Sequence, residues 1–125
     1  MRTVVFDFDG CIHRGYDGYR DGSIYGKIDL ELIEFIKELL KDHYVVISSN
    51  RPARKIVDHL NNMNLGVKFE VFEKDMNENL FWNTQYVVGV TNQKPIGTLY
   101  IDDRGFRYDR ECSTKTNIEK IKKYL

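Results

Sequence analysis

Asp7 and Asp9 stand two positions apart at the end of a hydrophobic run, Val4-Val5-Phe6-Asp7-Phe8-Asp9-Gly10. β-Branched and aromatic residues in such a run read as a buried strand. Positions i and i+2 of a strand point to one side, so both carboxylates can face one small volume beyond its carboxyl end. Crowding like charges is costly unless a cation sits between them or one carboxylate keeps its proton. The first solution is a metal site. The second is a nucleophile beside a general acid. The plain alternative is a pair of solvated strand-end acids, so the decision rests on what other elements bring to the same place.

Two other strand ends bring suitable groups. Tyr44 to Ile47 is a continuous apolar run, typical of a parallel strand covered on both faces. Ser48, Ser49, Asn50 and Arg51 follow it, and Pro52 fits the first position of a helix. Thr98 to Ile101 is another buried run, and it ends in Asp102 and Asp103. In a parallel sheet these ends lie on one edge, where such folds bind ligands. Asp7, Asp9, Asp102 and Asp103 suit a hard divalent cation, with Mg²⁺ the default. The Ser49 hydroxyl, with Asn50 beside it and the free N–H groups of the Pro52 helix, suits a phosphate. Lys94, in the loop before Thr98, adds a positive charge. A cation, a carboxylate nucleophile and a phosphate cradle together make the layout for phosphoryl transfer.

The elements between these ends alternate β-α-β-α-β. Residues 2–8 form the first strand. Residues 10–28 carry Gly, Tyr, Arg and Asp without periodicity and read as a long flap or loop, with a short hairpin across Tyr16 to Ile24. Asp29 is the expected N-cap of a helix with its stripe at Leu32, Ile33, Ile36, Leu39 and Leu40. Ile56, Val57, Leu60 and Met63 mark a second helix, stopped by Asn64 to Gly66. Val67 to Phe72 alternates as a half-exposed strand, and Tyr86 to Val90 is a short one. Thr116 and Glu119 fit a capping box for a last helix. The expected architecture is one α/β domain over 1–125. It has a doubly wound, mainly parallel sheet, helices on both faces and no cap domain.

Composition narrows the partners. The 125 residues carry 19 Lys+Arg and 19 Asp+Glu, so no global field favours nucleic acid, and only a local basic patch would attract it. No apolar run approaches membrane-spanning length and no signal peptide precedes the first strand, which predicts a cytoplasmic protein. Cys11 and Cys112 lack metal-ligand spacing and read as reduced thiols.

The order of these motifs resembles the haloacid dehalogenase (HAD) superfamily of phosphotransferases, over nearly the whole chain. The matching residues are Asp7-Phe8-Asp9, Ser49, Lys94 and Asp102-Asp103. A narrower likeness is to small capless HAD phosphatases of bacteria and phages, through Asp7 to Gly10, His13-Arg14, Asn77-Glu78-Asn79 and Ile101 to Arg104. Cys11 departs from the usual Thr or Val, and the stretch from Asn79 to Lys94 is longer than usual. The resemblance implies Asp7 as nucleophile, forming an aspartyl-phosphate, and Asp9 as general acid and then base. It implies Mg²⁺ held by Asp7, the Asp9 carbonyl, Asp102 and Asp103, and phosphoryl oxygens held by Ser49 and Lys94. His13, Arg14, Arg51 and Arg104 are the candidate substrate contacts, although a solvated loop histidine is the safer reading of His13, and Arg51 and Arg104 read equally as salt-bridge partners of the acids.

Two other functions fit parts of the pattern. A non-catalytic phosphate or metal-binding module would use the same fold without needing an acid/base Asp9. A signalling receiver domain needs a phospho-accepting Asp after its third strand, where Glu73 and Asp75 are in poor register. Dehalogenation is disfavoured because it needs neither a second Asp nor a metal. The open site expected without a cap admits a small phosphorylated molecule or a macromolecular end.

Overall fold

A computed structural model describes residues 2–18, 21–72, 82–93, 99–101 and 113–125. The elements in chain order are β1 (Arg2–Asp7), β2 (His13–Arg14), β3 (Lys27–Ile28), α1 (Leu30–Leu39) and β4 (His43–Ser48). They continue as α2 (Ala53–Asn62), β5 (Lys68–Val71), β6 (Val87–Thr91), β7 (Leu99–Ile101) and α3 (Thr114–Lys122). Five strands form one parallel sheet in the order β5-β6-β4-β1-β7. This is an α/β fold. Among the described residues no helix is long and apolar enough to cross a membrane.

Alternation along the strands divides the core in two. Val4 and Phe6 of β1, Val45 and Ile47 of β4, and Val88 and Val90 of β6 share one buried cluster with Leu32 and Ile36 of α1, Ile56 and Leu60 of α2, and Ile121 of α3. Val5 and Val46 point to the opposite face, where Phe72 and Trp82 cover them. Among the described residues the three helices pack on one face, and residues 73–81, which connect β5 to β6, lie outside them. Strand order accounts for α1 and α2. The steps β1 to β4 and β4 to β5 run the same way across the sheet, and right-handed crossovers put their helices on the same side. Phe72 and Trp82, at the described ends of the connection from β5 to β6, lie on the other face. Trp82 lies flat on the sheet at Gly89, where an added Cβ would meet the indole at 2.7 Å. Asn77, Glu78 and Asn79 of that connection lie outside the described residues.

Local signals account for most element ends. Asp29 caps α1 by accepting the Leu32 N–H at 3.1 Å. Its other oxygen accepts the Thr114 hydroxyl at the start of α3, so one carboxylate fastens two helices. Pro52 is the N-cap residue of α2, one position earlier than expected, and no side chain caps that helix. Asn64 and Gly66 take positive φ and end α2 as expected. The last helix starts earlier than its expected box. Ser113 is the N-cap, accepting the Thr116 N–H at 3.2 Å, because a serine three positions ahead reaches that amide first. The hairpin also differs: His13–Arg14 pairs with Lys27–Ile28, outside the expected Tyr16 to Ile24.

β5 is an edge strand, and its outward backbone is sealed by a side chain. The Asn61 amide donates to the Phe69 carbonyl and accepts the Phe69 N–H, both at 3.0 Å. Asn61→Ala should lower stability by about 1 kcal/mol in urea unfolding, the net worth of such bonds at a partly solvated site. Asn61→Asp, which can accept but not donate, should fall between that variant and the parent. A parental urea midpoint in Asn61→Ala would show that the pairing contributes nothing.

Candidate active site

Asp7 ends β1 level with Ser48 of β4, which is itself level with Thr91 of β6. Three parallel strands therefore finish on one line, and their following residues crowd one edge. The two serines separate here. The Ser48 hydroxyl donates to the Gln93 carbonyl at 2.9 Å and supports the turn after β6. Ser49 is buried and lines a cleft of about 590 Å³ together with Asp7, Asp9, Asn50 and Arg51. Its oxygen accepts the Arg51 N–H at 3.2 Å, which draws the chain into the start of α2.

Asp7 accepts the N–H of Phe8 at 2.9 Å, which fixes its carboxylate at the strand end. The chain then turns tightly, with the Cys11 and His13 amides both donating to the Phe8 carbonyl. That turn carries His13 back beside Asp9. His13 Nδ1 lies 2.7 Å from Asp9 Oδ1, and Arg51 Nε lies 3.0 and 2.9 Å from the two Asp9 oxygens. The Arg51–Asp9 pair is mostly buried, so losing either partner would strand the other charge.

Arg51 also reaches the flap. Its Nη1 donates to the Gly22 carbonyl at 2.7 Å, and its guanidinium lies within about 6 Å of the Phe8 and Tyr16 rings. The flap carries Asp21 to the mouth of the cleft. The Ser23 hydroxyl, then the Ser23 N–H, hold the Asp21 carboxyl below its usual range. Lys55, on the first turn of α2, also lines the cleft, and its Nζ reaches the flap at Gly22. Arg51, Arg54 and Lys55 put three cations at a helix start whose first turn contains no acid. That inverts the usual charge preference and favours an incoming anion. One turn along α2 from Lys55, burial lowers the His59 pKa.

The cleft thus gathers five expected residues: Asp7, Asp9, Ser49, Asn50 and Arg51. Three expected substrate contacts are placed otherwise. His13 is fully buried, neither solvated nor in the cleft. Arg14 turns to Asp29, with Nη1 3.8 Å from Oδ2. Arg51 lines the cleft but is engaged by Asp9 and Gly22. Lys94, Asp102, Asp103 and Arg104 lie outside the described residues, as does Cys112. Lys55 and Asp21 were not anticipated. Lys55 follows Arg51 by four positions, the spacing that puts two side chains on one side of a helix start, and this signal was available. Among the described residues no group of three or more His, Cys, Asp or Glu could hold a metal ion.

No family model, curated protein or solved structure matches this chain.

The flap tolerates no side chain at Gly26. A Cβ there would lie 2.0 Å from the Arg14 carbonyl oxygen and 2.8 Å from His13 Nε2. Gly26→Ala should therefore pry β3 from β2 and cost about 1–3 kcal/mol in urea unfolding, the usual range for overpacking. An unchanged midpoint would mean that the ribbon is looser than this contact implies.

Proposed function

We propose that the chain is an HAD-like phosphomonoester hydrolase that requires Mg²⁺ and works through an aspartyl-phosphate at Asp7. One observation carries this reading. A strand-end carboxylate, a buried serine hydroxyl and an uncapped, cation-rich helix start share one cleft. A carboxylate alone would repel a phosphate. Ser49, the α2 amides, Arg51 and Lys55 supply the attraction that brings the anion to it.

The donor chemistry at this edge fits Mg²⁺. Asp7 offers a hard oxygen, and Asp102 and Asp103 follow directly on Ile101, which registers with Phe6 one residue before Asp7. These acids, with the Asp9 carbonyl, would hold the ion, which when bound supplies charge neutralisation for the transferring phosphoryl group. Asp7 attacks phosphorus, an O–P bond forms, and the bond to the leaving oxygen breaks. Asp9, which takes up a proton from solvent on Oδ2 once Arg51 leaves it, gives that proton to the leaving oxygen. In the second step Asp9 takes a proton from water, the water oxygen attacks phosphorus, and inorganic phosphate leaves with Asp7 restored.

Asp9 must be released for this. Its Oδ2 is met by Arg51 alone among the described side chains. A phosphoryl group entering beside Arg51 competes for the guanidinium and frees that oxygen. The same ion pair favours a second reading, a phosphate-binding module without turnover, in which Arg51 never leaves Asp9. The cleft accommodates a small phosphorylated molecule or the end of a larger one.

Turnover of p-nitrophenyl phosphate decides between the two. Asp7→Asn should fold and lose activity by several orders of magnitude, on the scale of the roughly 10⁶-fold or larger accelerations of enzymes. Near-parental turnover in that variant would eliminate Asp7 as nucleophile. A parent that binds phosphate without turnover would support the module.

Metal removal is the second test. EDTA should abolish turnover and Mg²⁺ should restore it, whereas Ca²⁺ should bind with little activity because it takes more ligands in looser geometry. Full activity in EDTA, with metal content verified as nil, would rule out the cation.

A further inference from the structure

We propose that His13 is the positioning residue for Asp9, an imidazole held in one tautomer that ties the carboxylate to the backbone of the flap. The ring is fully buried. It stacks on Phe8 at 5.5 Å, meets the edge of Tyr25 at 5.3 Å and lies 5.9 Å from Tyr16. Such an enclosure blocks rotation toward solvent. A polar ring is costly in an aromatic nest unless both nitrogens find partners. They find two, of opposite kinds.

The Gly26 N–H points at Nε2 across 2.7 Å. A backbone amide can only donate, so Nε2 accepts with its lone pair and carries no proton. The single proton of the neutral ring is therefore on Nδ1, and it is donated to Asp9 Oδ1 at 2.7 Å. The absence of a side chain at Gly26 is what allows the amide to come this close. The flap thus meets Asp9 twice, through His13 from Gly26 and through Arg51 from Gly22. The two links differ in kind. Arg51 is a cation that an anionic substrate can recruit. His13 is neutral and enclosed, so it stays and keeps Asp9 aimed while Arg51 departs. The catalytic consequence rests on the phosphatase reading above. The geometric tie does not.

The test has an arm for each part. In the ¹⁵N-labelled parent, His13 should show a protonated Nδ1 and an unprotonated Nε2, and His13→Phe should move the Asp9 carboxyl ¹³C signal. A proton on Nε2, or an unmoved Asp9 signal, would overturn the proposal whether or not the protein is a phosphatase. Kinetically, His13→Phe should lower the kcat ratio of phenyl phosphate to p-nitrophenyl phosphate by roughly tenfold or more with little change in KM. The better leaving group needs less help from Asp9. His13→Asn, whose amide N–H can replace Nδ1–H, should recover most of that ratio. An unchanged ratio in His13→Phe, alongside a depressed one in Asp9→Asn, would refute positioning and leave the phosphatase reading intact. A parent without turnover would refute that reading and leave the two spectroscopic signals to decide the tie. If His13→Phe does not fold, His13→Gln, which keeps a partner for Gly26 but not for Asp9, takes its place in both arms.

Discussion

The parallel register between β1 and β4 is the constraint on which the rest depends. It runs from Arg2 opposite His43 to Asp7 opposite Ser48. A slip of one residue would flip one strand against the other, turning either Phe6 or Ile47 out of the helix-covered core and sending Val5 or Val46 into it. Both faces are packed, so exchanging Phe6 with Val5, or Ile47 with Val46, would misfit two clusters at once. Since the two strands are central, the same register sets where β6 and β7 end. The site is therefore held in place by a hydrophobic ladder several residues away from any chemistry.

Charge at the sheet edge is arranged around Asp9. Asp7 and Asp9 are crowded at the carboxyl edge, and Arg51 offsets the second of them from a neighbouring strand's loop. Because Arg51 also holds the flap carbonyl of Gly22, electrostatic compensation and flap placement are one interaction. Ser48 and Ser49 show a similar division of labour. One hydroxyl supports the turn after β6, and its neighbour faces the cleft.

Features fixed by local chemistry were legible in the sequence. The Val4–Phe6 run, the Asp29 cap and the Leu32, Ile33, Ile36 stripe each carry their own periodicity or capping group, and each is where it was expected. Asp7, Asp9 and Ser49 share a cleft because strand ends in a parallel sheet converge. What could not be read depends on closure over distance. His13 sits in an aperiodic polar stretch, and only the packing of that stretch against Phe8, Tyr16 and Tyr25 buries it. Arg51 had two plausible partners, substrate and acid, and a sequence does not weigh them. At α3 the spacing of Ser113 and Thr116 competes with that of Thr116 and Glu119, and both satisfy the same rule.

Asn61 has a consequence for how the fold can grow. A single amide supplies, at the level of Phe69, the donor and acceptor that a neighbouring strand would otherwise provide. A strand added beyond β5, whether by insertion or from a second molecule, must first evict that amide and lose two bonds before making any. The sheet is thus closed on this side by a residue of its own helix, and enlargement there would have to begin with the replacement of Asn61.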